Sequence, residues 1–236
     1  MPLARPCTSH RLVPNMVERA RSRIFRRSAQ ILCTVWLALS TSAIPTVTDR
    51  DTWQRPDEVM DAMKAHQGNT VADVGAGEGW FTRKLAQRVG TTGAVFAVDV
   101  QDAMVEDVRY WSVEEHLRQV IPVLGDENDP HLPDGQVDAV LVVNAYHEMK
   151  AYDAMLRGFY QALKPGGRLV IIEPNAKSGR PRTEYQNEHV IPAELVKDDA
   201  ARNGFRLVAQ HADVVPPDQH HWAFLVFEKP RARAAQ

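Results

Sequence analysis

Cysteine is nearly missing from this chain: its 236 residues hold only Cys7 and Cys33. From Ala38 onward there is no thiol, which excludes a disulfide scaffold, a thiolate metal site and a cysteine nucleophile for that part. No apolar run reaches the roughly 20 residues a bilayer demands, so no stable membrane span is expected. Repeats and low-complexity tracts are also absent. Excess basic charge is missing from most of the chain. The formal net charge of −2 hides a split, because residues 1–30 hold seven arginines and one acid, a local +6, and the remainder holds 21 basic and 29 acidic residues, a net −8. An acidic body argues against a nucleic-acid partner, since neutralising phosphates takes clustered Lys and Arg.

The basic stretch leads into Ile31-Leu-Cys-Thr-Val-Trp-Leu-Ala-Leu39, then the small residues Ser40-Thr-Ser-Ala43 and Pro45. A basic region, an apolar core of about 13 residues and a small-residue exit are the parts of a secretory signal, and Arg26-Arg27 also permits a twin-arginine reading. This predicts a leader over residues 1–45 and a periplasmic destination. The alternative is a start assigned too early, with Met16 or a later site as the true beginning of a cytoplasmic chain. The body, 49–230, has the length of one domain, with a short tail at 231–236.

Within the body, short apolar segments alternate with helical patterns. A helix is expected over Trp53 to His66, with Pro56 early in it, followed by a buried strand from Thr70 to Val74 and a helix from Trp80 to Val89. Strand Ala94 to Asp99, helix Ala103 to Glu115, strands Val120 to Leu124 and Val137 to Asn144, helix Ala151 to Leu163 and strand Arg168 to Glu173 continue the series. Such alternation implies a parallel sheet covered on both faces. The end differs. A polar stretch from Pro174 to Gln186 precedes a helix, Pro192 to Asn203, and two strands, Phe205 to Ala212 and His221 to Glu228, around Pro216-Pro217; their short connection favours antiparallel pairing.

The most informative stretch is Val71-Ala-Asp-Val-Gly-Ala-Gly-Glu-Gly-Trp-Phe-Thr82. Glycines at 75, 77 and 79 lie between a strand and a helix, where the backbone can turn sharply and approach a ligand, and the helix start offers free N–H groups. In the nicotinamide fingerprint the third glycine falls at position 80 and lets helix and strand pack closely. Trp80 stands there, which argues against a dinucleotide. Asp99 ends the second strand, where a carboxylate can accept both hydroxyl hydrogens of a ribose. Asp126 ends the third, where a purine amino group could donate.

With these motifs the body resembles the class I S-adenosylmethionine (SAM)-dependent methyltransferases, from about Trp53 to Glu173 and more loosely to Phe227. Asp73-Val-Gly-Ala-Gly-Glu-Gly79 looks like the family's first motif, Asp99 like its ribose acid and Asp126 like its adenine-side acid; Leu163-Lys-Pro-Gly-Gly-Arg-Leu-Val170 is similar to its turn before the fifth strand. The resemblance implies an α/β, Rossmann-like three-layer sandwich whose seven-stranded sheet is mostly parallel with the last strand antiparallel. It implies SAM as cofactor, bound around Asp73, Gly75, Ala76, Gly77, Gly79, Asp99, Val100, Asp126, Glu127 and Asn144. Within it the segment looks closer to small-molecule enzymes of the ubiquinone/menaquinone-biosynthesis type, or in its first motif to isoaspartyl methyltransferases, than to nucleic-acid enzymes. The fourth strand ends Asn144-Ala-Tyr-His147 rather than Asn/Asp-Pro-Pro-Tyr, a departure from the amino-methylating pattern.

An activated sulfonium needs mainly an aligned acceptor, and an oxygen or nitrogen acceptor that is protonated also has to lose a proton. His147 is the candidate base, because an imidazole titrates near neutral pH; the competing reading is a histidine that shapes the loop. Glu148 is a candidate orienting residue, and Tyr146 could turn its π face to the sulfonium or pack in the core. The polar stretch with Arg180, Arg182 and Tyr185 has the length of a lid or acceptor loop. His189 and the His220-His221 pair show no metal-ligand spacing, so no metal is expected. The function expected is methyl transfer to an oxygen, nitrogen or carbon of a small-molecule acceptor. A SAM-binding protein without turnover is the alternative, and a nicotinamide-dependent oxidoreductase a third reading.

Overall fold

Alternation of side chains along each strand builds two apolar surfaces on one sheet. The computed structural model describes residues 49–214 and 221–231; the leader with its export signature, the Pro216-Pro217 connection and residues 232–236 lie outside them. Strands β1 (Thr70–Val74), β2 (Ala94–Asp99), β3 (Val120–Leu124), β4 (Val137–Val143), β5 (Leu163–Pro174), β6 (Arg206–Val214) and β7 (Trp222–Glu228) form a seven-stranded sheet of order β3-β2-β1-β4-β5-β7-β6. Neighbours from β3 to β5 pair in parallel, whereas β7 runs antiparallel to both β5 and β6. This is the architecture the family resemblance implies.

Val71, Leu141, Val170, Ile172, Phe224 and Val226 face one apolar cluster, and their chain neighbours Ala72, Val140, Leu169, Ile171 and Leu225 face the other. The first cluster is closed by α2 (Pro56–Ala62), α3 (Trp80–Val89) and α4 (Asp102–Glu114). The second is closed by α5 (Tyr152–Ala162) and α7 (Ala193–Arg202). Helix α3 shows why these segments are helical: Phe81, Leu85, Ala86 and Val89 recur at helical spacing and are all buried. Each fully buried large side chain contributes roughly 1.5–3 kcal/mol.

The single helix expected over Trp53 to His66 is two helices, α1 (Asp49–Gln54) and α2, broken at Arg55. Arg55 precedes Pro56, whose ring disfavours the right-handed helical region for the residue before it; Arg55 adopts φ 44° and ψ 62° instead. The polar stretch after β5 also differs from a plain loop, because it contains α6 (Arg182–Asn187). Tyr185 is fully buried, donates to the Lys177 carbonyl at 2.9 Å and accepts from the Arg180 N–H at 2.9 Å. Arg182 pairs with Asp199 of α7, so this stretch is fastened rather than hanging as a free lid.

Candidate functional site

Every residue that could bind a nucleoside comes from a carboxyl end of a parallel strand, around the point between β1 and β4 where the strand order reverses. Open α/β sheets form their ligand crevice there. Beyond β1, Gly75 and Ala76 donate their N–H groups to the Val98 carbonyl at 2.9 and 3.1 Å, which ties the glycine loop to β2. Gly75 has φ 73°, and a Cβ on it would lie 2.4 Å from the Ala145 Cβ, so only glycine lets the loops after β1 and β4 meet. Gly77, at φ 52°, meets nothing within 4 Å and faces open space. Gly79 starts α3, and a Cβ there would strike the Trp111 ring. Trp80 packs edge-on against Phe81 with centroids 4.7 Å apart and carries the Arg50 guanidinium over its face.

Asp99 closes β2 and is only 8% exposed. Its Oδ2 accepts the Gly77 N–H at 2.9 Å and its Oδ1 the Gln101 N–H at 3.0 Å. Each oxygen retains a lone pair, the acceptor set that two adjacent ribose hydroxyls require. The carboxylate borders a cleft of about 500 Å³, a volume suited to a nucleoside-sized ligand. Gly75, Gly77, Val100, Asp126, Glu127 and Asn144 border the same cleft, so the structure brings most of the expected cofactor residues together. Val100 is 54% exposed and offers an apolar surface next to Asp99. Asp126 lies 3.1 Å from His131 Nε2, and Asn144 takes φ 54° as the chain leaves β4.

Ala76, Gly79 and Asp73 are not among the residues bordering the cleft. Asp73 is buried beneath the glycine loop, where Oδ2 accepts the Thr82 hydroxyl at 2.6 Å. Burial pushes its carboxyl up to about 6, opposed in part by the Thr82 hydrogen bond and by the nearby Arg50 charge.

At the far side of this reversal point, β4 runs into a 3₁₀ turn, Tyr146–Glu148. Glu173 at the end of β5 holds this turn: its Oε1 accepts the N–H groups of Ala145 and Tyr146 at 2.8 and 2.6 Å, and its Oε2 lies 2.7 Å from His147 Nδ1. With the carboxylate accepting, His147 donates through Nδ1, and the neutral imidazole carries its lone pair on Nε2. Both His147 and Glu173 are 1% exposed. His147 Nε2 points at His189 Nδ1, 3.3 Å away, rather than into the cleft; Glu148 is the member of the expected catalytic trio that borders it. Tyr146 belongs to the core instead. It is fully buried and donates its hydroxyl to Asp199 at 2.9 Å, and burial with that adjacent carboxylate holds the phenol well above its usual range. Glu173 is not a site candidate from sequence, and His189 enters there only as a metal candidate without ligand spacing. A strand-end acid was a usable signal for Glu173; nothing in the spacing links His189 to His147.

A doubly wound sheet with a glycine loop after β1, a braced carboxylate at the end of β2, Trp80 in place of the dinucleotide fingerprint's third glycine and an antiparallel β7 fits the SAM-binding class of methyltransferase folds. Residues 71–167 match the family model described as methyltransferase domain. The ubiquinone/menaquinone biosynthesis C-methyltransferase UbiE of Escherichia coli is 30% identical over 176 residues, covering 70% of this chain and 66% of that protein. The chain thus spans just under two thirds of the length of this curated relative. A SAM-dependent methyltransferase from Aquifex aeolicus superposes with TM-score 0.66 at 25% identity, over 77% of this chain and 93% of that one. The geranyl diphosphate C-methyltransferase of Streptomyces coelicolor, at TM-score 0.63, 15% identity and 75% of each chain, shares the fold. Over residues 71–167 the chain is thus similar to the methyltransferase domain family, and its fold is the one that SAM-dependent methyltransferases use.

Proposed function

We propose that this protein transfers the SAM methyl group to a carbon of a small-molecule acceptor that also carries an ionisable oxygen. The observation that carries the cofactor half is Asp99, braced by two backbone donors and bordering a cleft of nucleoside size. When bound, SAM supplies a methyl group on a sulfonium that needs no further activation. The protein's own residues then have to bind, orient and handle one proton. Gly77 leaves room for the backbone to approach the cofactor, Asp99 takes the ribose hydroxyls, and Asp126 and Glu127 border the base end. On the other side Glu173 fixes the His147 tautomer, and the group formed by His147, Glu148 and His189 is the proposed site of proton removal from the acceptor. A carbon acceptor is favoured because the UbiE relative is a C-methyltransferase.

Incubating the protein with methyl-labelled SAM and a protein-free metabolite extract tests this reading. Label is expected in small organic products, with Glu148→Gln lowering turnover at least 10-fold. Cofactor binding without any labelled product would instead indicate a SAM-binding protein without turnover. The net −8 of residues 31–236 supports a partner other than nucleic acid, and among the described residues no helix is long and apolar enough to cross a membrane. We further propose that the leader directs export, on its basic region, short apolar core and small-residue exit. Amino-terminal sequencing of the expressed protein should find a start near Ile44, and an intact Met1 or Met16 would refute cleavage.

A further inference from the structure

Three potential ligand atoms converge where the acceptor side of the cleft ends. His147 Nε2 and His189 Nδ1 are 3.3 Å apart, His147 Nε2 and Glu148 Oε1 3.6 Å, and His189 Nδ1 and Glu148 Oε1 3.5 Å. All three separations exceed the roughly 2.7–2.9 Å of a good charge-assisted hydrogen bond. They match a different requirement. Ligands about 2.0–2.1 Å from a tetrahedral zinc ion stand about 3.3–3.4 Å from one another, so a cation can sit at bonding distance from all three with small adjustments of exposed side chains. Octahedral magnesium at a similar bond length would draw neighbouring ligands to about 2.9 Å and prefers oxygen throughout.

The surroundings agree with that donor set. Histidine ligands of metals commonly pass their second ring N–H to a carboxylate, which fixes the tautomer and raises basicity; buried Glu173 stands 2.7 Å from His147 Nδ1 and does this. Two carboxylates, Glu148 and Glu173, balance a dication when both imidazoles are neutral. His189 and Glu148 stay accessible, with side chains 71% and 61% exposed, which gives an ion a way in. Two histidines and one carboxylate leave a tetrahedral position open, the pattern of a catalytic rather than a structural site.

We propose that His147, Glu148 and His189 form a binding site for a zinc-class divalent cation at the rim of the cofactor cleft. Glu148 also borders that cleft, which puts the open position within reach of an acceptor oxygen. A cation there occupies the Nε2 lone pair of His147, so the trio then acts as ligands rather than as the base: an acceptor hydroxyl bound at the open position has a lowered pKa and releases its proton to solvent water at this exposed rim, leaving the oxyanion on the cation.

The test is metal affinity of the full chain, stripped with a chelator and titrated with Zn²⁺ or Co²⁺ alone. One ion per chain is expected, and Co²⁺ should give the intense visible absorption of a tetrahedral centre. His189→Ala and Glu148→Gln, both at exposed positions, should each weaken binding 100-fold or more while the metal-free thermal unfolding midpoint stays unchanged. Glu173→Gln presents an amide donor to His147 Nδ1, moves the ring proton to Nε2 and should cost 10–100-fold without removing a ligand. Absence of binding at micromolar ion, or binding unaltered by His189→Ala, would overturn the proposal and leave a hydrogen-bonded histidine pair. Because the readout is affinity for the ion, its failure leaves the methyl-transfer reading standing, and failure of that reading leaves this one standing.

Discussion

Asp73 and Asp99 share a residue type and opposite settings. Asp99 borders the cleft with both oxygens braced by backbone donors, whereas Asp73 is buried against Thr82 with its carboxyl pushed up to about 6. A raised folded pKa favours the protonated acid, so the contribution of Asp73 to stability is complete below the unfolded carboxyl pKa and is lost as pH climbs through about 6. Asparagine accepts the Thr82 hydroxyl and cannot ionise. In paired unfolding titrations, the stability of Asp73→Asn relative to the natural protein should rise by about 2–3 kcal/mol between pH 4 and 7, at 1.36 kcal/mol per pKa unit. A difference that stays flat over that range would show that Asp73 ionises as freely as an exposed acid. At this scale the sequence was partly legible. Acids at strand ends could be placed at the crevice by counting along each strand, but whether each carboxylate borders the cleft or sits under the loop depends on neighbours such as Thr82 and Ala145, brought close only by folding.

Elements were more legible than contacts, because period and punctuation are local. Trp80–Val89 and β1 to β4 start where the apolar patterning starts, within a residue. The misses have local causes as well. Arg55 broke a helix because of the proline after it, and α6 arose in a stretch with little apolar periodicity because Tyr185 is buried and Arg182 reaches Asp199. The glycine loop gives the sharpest prediction here. Gly75→Ala adds a Cβ 2.4 Å from Ala145 in a left-handed conformation, so it should cost about 3 kcal/mol or more. Gly77→Ala meets no neighbour within 4 Å and should cost only the roughly 1–2 kcal/mol of its positive φ, yet weaken S-adenosylhomocysteine binding at least 10-fold by filling the cleft. Thermal unfolding and titration of the two variants side by side check this. Equal stability losses, or unchanged affinity in Gly77→Ala, would count against the loop as the cofactor's cradle.

For the whole molecule, the near-neutral charge resolves into a +6 leader and a net −8 over residues 46–236. The body's fold was readable because alternating strands and helices of this length have few arrangements, and β7 antiparallel beside β6 follows from a short return connection, whereas its insertion next to β5 was legible only through the family resemblance. The His147, Glu148 and His189 group was not readable, since 42 residues separate the two histidines and only the packing of the segment after β5 brings them together. An exported chain would need SAM carried with it or supplied at its destination, so cofactor binding by the purified protein is the point on which the whole account turns. Calorimetric titration with S-adenosylhomocysteine should give one site per chain, weakened about 100-fold in Asp99→Ala, the loss of charge-assisted hydrogen bonds worth about 2–3 kcal/mol. No measurable binding, or equal binding by the natural protein and Asp99→Ala, would contradict it.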